Sequence, residues 1–257
     1  MVQALQQRAN IREQVSDEEW QVRVDLAAAY RLVDHYGWTD MIFTHLSARV
    51  PGPEQHFLIN PYGMMFDEVS ASNLVKIDFD GNIVLSTGYD VNPAGFCIHS
   101  AIHMSRDDAH AVMHLHTDDG VAVSAMADGL LPITQTAMII HDQIAYHEYE
   151  GIALDLGERE RLAADIGDKL AMILRNHGTL TVGKTVSTCF LTLYVLERAC
   201  SMQVRAMAGG NLHQPSADSV KTSREQGRML MASGEMDQLA WPALLRMLDR
   251  KDSGFRQ

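Results

Sequence analysis

Cysteine is scarce. The chain holds only Cys97, Cys189 and Cys200, an odd number, widely spaced and without a Cys-x-x-Cys motif. That excludes a disulfide framework and a thiolate zinc knuckle, and leaves reduced, buried thiols as the expectation. Long apolar runs are missing too: although 46% of the residues are hydrophobic, no run approaches the roughly 20 residues that a membrane-spanning helix needs. The opening stretch, MVQALQQRANIREQVSDEEW, lacks the apolar middle and small-residue cleavage site of a secretory signal, so cytoplasmic residence is expected. Positive charge is in deficit. With 21 Lys and Arg against 33 Asp and Glu, the formal net charge is -12 and no basic stripe offsets it, which excludes nucleic acid and an anionic membrane as partners.

What is present is enough apolar material for a substantial core in 257 residues, a length that suits one large domain or two small ones. No repeat, low-complexity linker or composition break divides the chain, so a single domain with a C-terminal extension is expected. Ser16 followed by Glu19 is a capping box, and Trp20, Val24, Ala27, Ala28 and Leu32 continue it as a helical stripe that Gly37 stops. The segments 41–50 and 56–60 read as strands. Val75, Ile77 and Phe79 alternate into the turn Asp80-Gly81-Asn82 and out to Ile83–Leu85, a hairpin. Helices are expected over 96–105, 118–127, 157–170 and 185–208. Strands are expected over 110–115, 171–176 and 179–183, with two irregular strands between Pro132 and Tyr149. Beyond Gly210 the chain turns polar and then weakly helical, with a tail expected to fray. Short turns between adjacent strands, without regular β-α-β alternation, predict a largely antiparallel sheet with helices on both faces.

The twelve histidines exceed ordinary structural need. In the strand AVMHLH, His114 and His116 share a face and lie about 6–7 Å apart along the backbone, near enough to close on one cation. His177, in ILRNHG, follows another apolar run at a strand end and is the best third ligand. The bland reading makes all three ordinary polar residues of half-exposed strands. His99 and His103, four apart on a helix, share a face and could chelate; packing or surface roles suit them better. His110, His141 and His147 lack paired spacing and read as hydrogen-bonding residues, with a substrate-side role left open for His141.

The stretch from NPAGFCIHSAIHMSRDDAHAVMHLHTDDGVAVSAMADGLLPI through AYHEYEG to ILRNHGTLTVG resembles the class II aldolase/adducin family, its adducin-like branch in particular. The likeness covers about residues 20–210, leaving 211–257 as the extension of a single domain spanning 1–257. It implies a three-layer α/β/α fold around a central, mainly antiparallel sheet. It also implies a divalent metal on His114, His116 and His177, most commonly zinc, with iron or manganese as alternatives, and a cyclic homotetramer with sites between subunits. In the sugar-phosphate aldolases of the family the metal holds carbonyl and hydroxyl oxygens and stabilises the enediolate formed as a C–C bond breaks.

The departures from that pattern are as informative. Where family aldolases read Pro-Ser-Ser-Glu, this chain reads Pro93, Ala94, Gly95 and Phe96. The family glutamate is the acid/base, and phenylalanine can neither carry a proton nor ligate a cation, so the usual proton abstraction is ruled out. Ala94 and Gly95 lack the hydroxyls that grip a phosphate, and the partnering asparagine aligns with His45. Backbone N–H groups near Gly63 or Gly95 could still hold an anion. The neighbouring subunit's tyrosine has no counterpart, and Thr136 falls there. His45 and His141 are therefore the candidate proton carriers, and Gly63, Ala94, Gly95 and Thr136 the candidate substrate-binding positions. The expected activity is a metal-dependent lyase or related carbonyl-acid enzyme for a small, unphosphorylated substrate. The alternative is a non-catalytic, adducin-like oligomeric scaffold or binding protein.

Overall fold

In a computed structural model, which describes residues 11–152 and 157–257, eight strands form one sheet. They are β1 (His45–Arg49), β2 (His56–Ile59), β3 (Val75–Asp78), β4 (Ile83–Leu85), β5 (Ala111–Leu115), β6 (Ile144–His147), β7 (Ala171–Leu174) and β8 (Gly178–Gly183). Their order is β4-β3-β2-β1-β5-β8-β7-β6. Every pairing is antiparallel except β6 with β7, which is parallel. The mainly antiparallel expectation therefore holds, with one parallel edge strand.

Alternation along the strands sorts the two faces. Leu46, Ala48, Leu58, Ala111, Met113 and Leu115 pack against helices α1 (Asp17–His35) and α6 (Val186–Ala208). Val112, Leu180 and Val182 face the other way, onto α2 (Pro93–Ser105) and α5 (Glu158–Ile166) through Ile98, Ile102, Leu162 and Ile166. The result is three layers, helix on sheet on helix. Two short helices, α3 (Asp118–Ser124) and α4 (Gln135–Ile140), close the end of the sheet carrying β6 and β7 through Val123, Ile140, Ile144 and Ile173.

Ser16 caps α1 by accepting the N–H of Glu19 at 3.1 Å. Only half of the expected capping box forms, because the Glu19 carboxylate is drawn off by Arg23 at 2.9 Å and Lys76 at 2.8 Å. Arg23 is fully buried and its guanidinium also donates to the Leu74 carbonyl at 2.9 Å. A charged group removed from water needs such partners, and here they tie the helix to the loop before β3.

Three expectations are corrected. Residues 41–44 are not strand: Met41 and Thr44 have φ of 46° and 67°, and this tight loop delivers the chain into β1. The two strands expected between Pro132 and Tyr149 are α4, a short 3-10 turn and the single strand β6, because the apolar run AMII packs on α6 and a further helix. The third concerns the end of the chain, which does not fray. Residues beyond Gly210 form α7 (Ala217–Ser233) and α8 (Glu235–Lys251). Trp241, Leu248 and Phe255 join the α1–α6 core, and the Phe255 carbonyl accepts the N–H of Ala71 at 3.0 Å. Among the described residues no helix is long and apolar enough to cross a membrane.

Candidate metal centre

The antiparallel pairing of β5 with β1 and β8 gathers histidines at one end of the sheet. His114 pairs across β1 with His45. His116 stands just beyond the end of β5, and His177 is in the turn before β8, after Asn176 at φ 56°. Their ring centroids lie 4.7 Å (His114–His116), 4.8 Å (His114–His177) and 4.8 Å (His116–His177) apart. One nitrogen from each falls within 4.8 Å of the others. Bonds of ~2.0–2.1 Å in a tetrahedral arrangement would set nitrogens about 3.3 Å apart, so small ring rotations suffice.

The hydrogen bonds decide which nitrogens are offered. His114 Nδ1 lies 2.9 Å from the carbonyl of Thr179, which can only accept, so Nδ1 carries the hydrogen. His116 Nδ1 lies 3.1 Å from the Asp40 carboxylate and donates likewise. In neutral rings both Nε2 atoms are then lone pairs, and they face each other at 2.9 Å. Two lone pairs at that distance repel unless a cation or a proton sits with them. Burial keeps His114 below its ordinary pKa and brings His177 down to about 4, the neighbouring imidazoles adding to the effect. The site thus gathers three imidazoles with ring nitrogens converging, and it fits a divalent ion; the cluster contains no carboxylate.

A polar cleft of about 340 Å³ opens beside His116, bounded by Trp38, Asp118, Tyr194 and Arg198. Beneath it the buried Glu197 accepts hydrogen bonds from the hydroxyls of Thr117 and Thr179. Burial pushes its carboxyl up to about 7. Because Thr179 also supplies the carbonyl that orients His114, Glu197 steadies the ligand from the opposite side of β8.

His45 lies against the trio, its ring centroid 5.2 Å from that of His114. Burial, reinforced by the nearby His116 and His177, lowers its pKa to about 3. Gly95 sits against the other side of this ring: a Cβ there would come within 2.7 Å of His45 Cδ2. Ala94 is in the first turn of α2, where its N–H donates to the capping Asn92 side chain at 3.1 Å. Gly63, at φ 93°, lies exposed in the loop that leaves β2 at this same end of the sheet.

Other expected positions separate from the trio. Phe96 does not stand beside the three histidines. Its ring lies under the β3–β4 turn at Gly81, with the Arg159 guanidinium 4.7 Å from its centre, and packs on the cluster of Phe57, Ile59, Val75 and Ile77. His141 precedes the start of β6, whereas the trio lies beyond its end, and His141 Nδ1 faces Arg224 at 2.9 Å. Within one subunit it cannot reach the cluster. Thr136 is on α4, which packs between α6 and α7 rather than at the trio. Sequence reasoning missed Asp40, Thr179 and Glu197. Each acts through a contact across the chain, and no local spacing announces it.

Comparisons with known proteins show the family and the fold. Residues 24–204 match the model for the Class II Aldolase and Adducin N-terminal domain. A Caulobacter vibrioides protein named "Putative aldolase class 2 protein" is 56% identical over 96% of each chain. Mouse alpha-adducin is 41% identical over 91% of this chain, which spans 34% of the adducin's length. Among solved structures, an aldolase II superfamily protein from Pseudomonas syringae aligns with a TM-score of 0.93 at 52% identity, over 96% of this chain and 100% of that one. L-fuculose 1-phosphate aldolase from Glaciozyma antarctica aligns at 0.78 and 26% identity, over 93% of both.

Proposed function

Because the chain belongs to the class II aldolase and adducin N-terminal domain family, we propose that it is a metal-dependent lyase or related carbonyl-acid enzyme acting on a small, unphosphorylated 2-oxo or 2-hydroxy acid. The observation that carries this reading is the convergence of three imidazoles, two of which, His114 and His116, have their other nitrogen held by a carbonyl and a carboxylate. When bound, a divalent ion, zinc in the first instance, supplies Lewis acidity toward carbonyl and hydroxyl oxygens. His114, His116 and His177 would hold it. Thr179 and Asp40 fix the tautomers of the first two rings, which raises their strength as ligands. His45 is the side chain beside the trio with a nitrogen to offer a substrate.

The substrate class follows from what the first turn of α2 lacks. Ala94 and Gly95 carry no hydroxyl to grip a phosphate, and Gly95 is instead the space that admits His45. A carboxylate is the more suitable anionic handle, since it can share the ion with an adjacent oxygen. The working unit is proposed to be a cytoplasmic homotetramer.

The test has two stages. Protein purified without added metal is expected to contain close to one divalent ion per chain, lost in His114→Ala and His116→Ala. A panel of 2-oxo acids, 2-hydroxy acids and sugar phosphates is then screened for turnover that chelation abolishes. An ion without turnover on any member would favour the second reading, an oligomeric binding protein, to which the likeness to alpha-adducin points.

A further inference from the structure

Behind His45 runs a line of buried polar groups that the metal site does not explain. His45 Nδ1 is 2.8 Å from His99 Nε2. His99 Nδ1 hydrogen-bonds the hydroxyl of Ser47, and that hydroxyl is 2.8 Å from His103 Nε2. The line ends at the carbonyl of Ala109, 2.7 Å from His103 Nδ1. Ser47, His99 and His103 are completely buried, and His45 nearly so. Three histidines and a serine packed between a strand and a helix are a costly way to fill space, because each polar atom must find a partner.

The terminus sets the direction of every hydrogen in the line. A carbonyl accepts only, so His103 Nδ1 bears the hydrogen and His103 Nε2 is a bare acceptor. Ser47 must then donate to His103, and its oxygen accepts from His99 Nδ1–H. His99 Nε2 is left bare and accepts from His45 Nδ1–H. The last free position is His45 Nε2, which is forced to be a lone pair. Burial lowers the pKa of His99 and His103, the latter to about 3, and outweighs the opposing contacts with the backbone of His45 and Ala109.

We propose that His45, His99, Ser47 and His103, anchored on the Ala109 carbonyl, form a tautomer-fixing relay that presents His45 Nε2 as a permanent acceptor for a hydroxyl of the substrate. The substrate class narrows accordingly, to molecules with a hydroxyl next to the oxygen held at the trio. His45 is the binding residue, and His99, Ser47 and His103 position it. The three-ligand cluster excludes His45, which separates its role from that of a fourth ligand. The substrate half of this proposal rests on the metal-site reading above, whereas the tautomer half does not.

Neutron diffraction from a deuterium-exchanged crystal of the wild-type, metal-free chain tests the relay without a variant. Deuterium is expected on Nδ1 of His45, His99 and His103 and absent from their Nε2 atoms; deuterium on His45 Nε2 overturns the proposal. Zinc-loaded protein is then titrated calorimetrically with glycolate and acetate, which differ by one hydroxyl. Ser47→Ala breaks the line and is expected to reduce the glycolate preference roughly 2- to 10-fold, the worth of one hydrogen bond. It should leave zinc stoichiometry intact, and Ser47→Thr should restore the preference. A preference unchanged in Ser47→Ala, or zinc lost in His45→Ala, also overturns it. Wild-type protein that binds no zinc sinks the metal reading, and the hydrogen map still decides the relay.

Discussion

Gly95→Ala sets packing against helix propensity beside the His45 ring. Gly95 lies in the first turns of α2, in ordinary helical conformation, so alanine should favour the helix by about 1 kcal/mol. A methyl there would meet three atoms of the His45 ring, Cδ2 at 2.7 Å, Cγ at 3.0 Å and Nε2 at 3.2 Å. That ring has little room to retreat, being 4% exposed and hydrogen-bonded to His99. Crowding a packed interior costs about 1–3 kcal/mol, and pulling His45 off His99 forfeits about 1 kcal/mol more. Subtracting the helix gain leaves a net loss of about 2 kcal/mol. For a chain near this size that lowers Tm by roughly 4–8 °C. Chemical denaturation with thermal melting measures it, and zinc stoichiometry at the trio should be unchanged. A variant more stable than wild type by the propensity term alone would refute the placement of His45 against α2.

Asp40→Asn removes the carboxylate that takes the Nδ1 hydrogen of His116, and zinc affinity by competitive chelator titration should fall about 10- to 100-fold. Phe255→Ala empties a fully buried position in the α1–α6 core and should cost about 3–5 kcal/mol in a urea melt, a loss that a fraying tail would not show. Glu197 gives a pH signature. Its folded pKa of about 7 lies above the ordinary 4.5, so the native state holds its proton more tightly than the unfolded chain does. Wild-type stability should therefore decline relative to Glu197→Gln as pH rises from 4.5 to 7, and the gap should hold level above that. The full gap is worth about 3 kcal/mol. A difference between the two proteins that stays flat from pH 4.5 to 8 would show that the carboxyl is not held protonated.

The trio was legible because its signal is local: His-x-His at a strand end and Asn-His-Gly before another strand need only the period-2 alternation and a turn. The layers and the antiparallel sheet were legible for the same reason, since short turns between apolar strands leave few other topologies. What could not be read depends on registers no single segment encodes. Helix α4 carries AMII, an apolar run too short to distinguish helix from strand by period, and its packing between α6 and α7 decides the outcome. The C-terminal helices looked polar because only a few residues, such as Trp241, Leu248 and Phe255, reach the core.

His99 and His103 show the limit most clearly. Their i, i+4 spacing predicts packing or surface roles, and they are buried, yet the spacing does not reveal their hydrogen-bond partners. Ser47 lies between them only because β1 crosses α2 at one register, with His45 one alternation earlier on the same face and paired to His114. Slide β1 by one residue and Leu46 would take the place of Ser47, since the two side chains point to opposite faces. Gly95 belongs to the same arrangement, because any side chain there would occupy the space of the His45 ring. The side chains allowed at positions 45 and 95 are therefore coupled through one contact. Changing either alone should disturb the site more than changing both. A double-mutant cycle of His45→Asn and Gly95→Ser, read as stability of the metal-free protein, should show a coupling of about 0.5–3 kcal/mol favouring the pair; strict additivity would mean that residue 95 does not pack against the His45 ring.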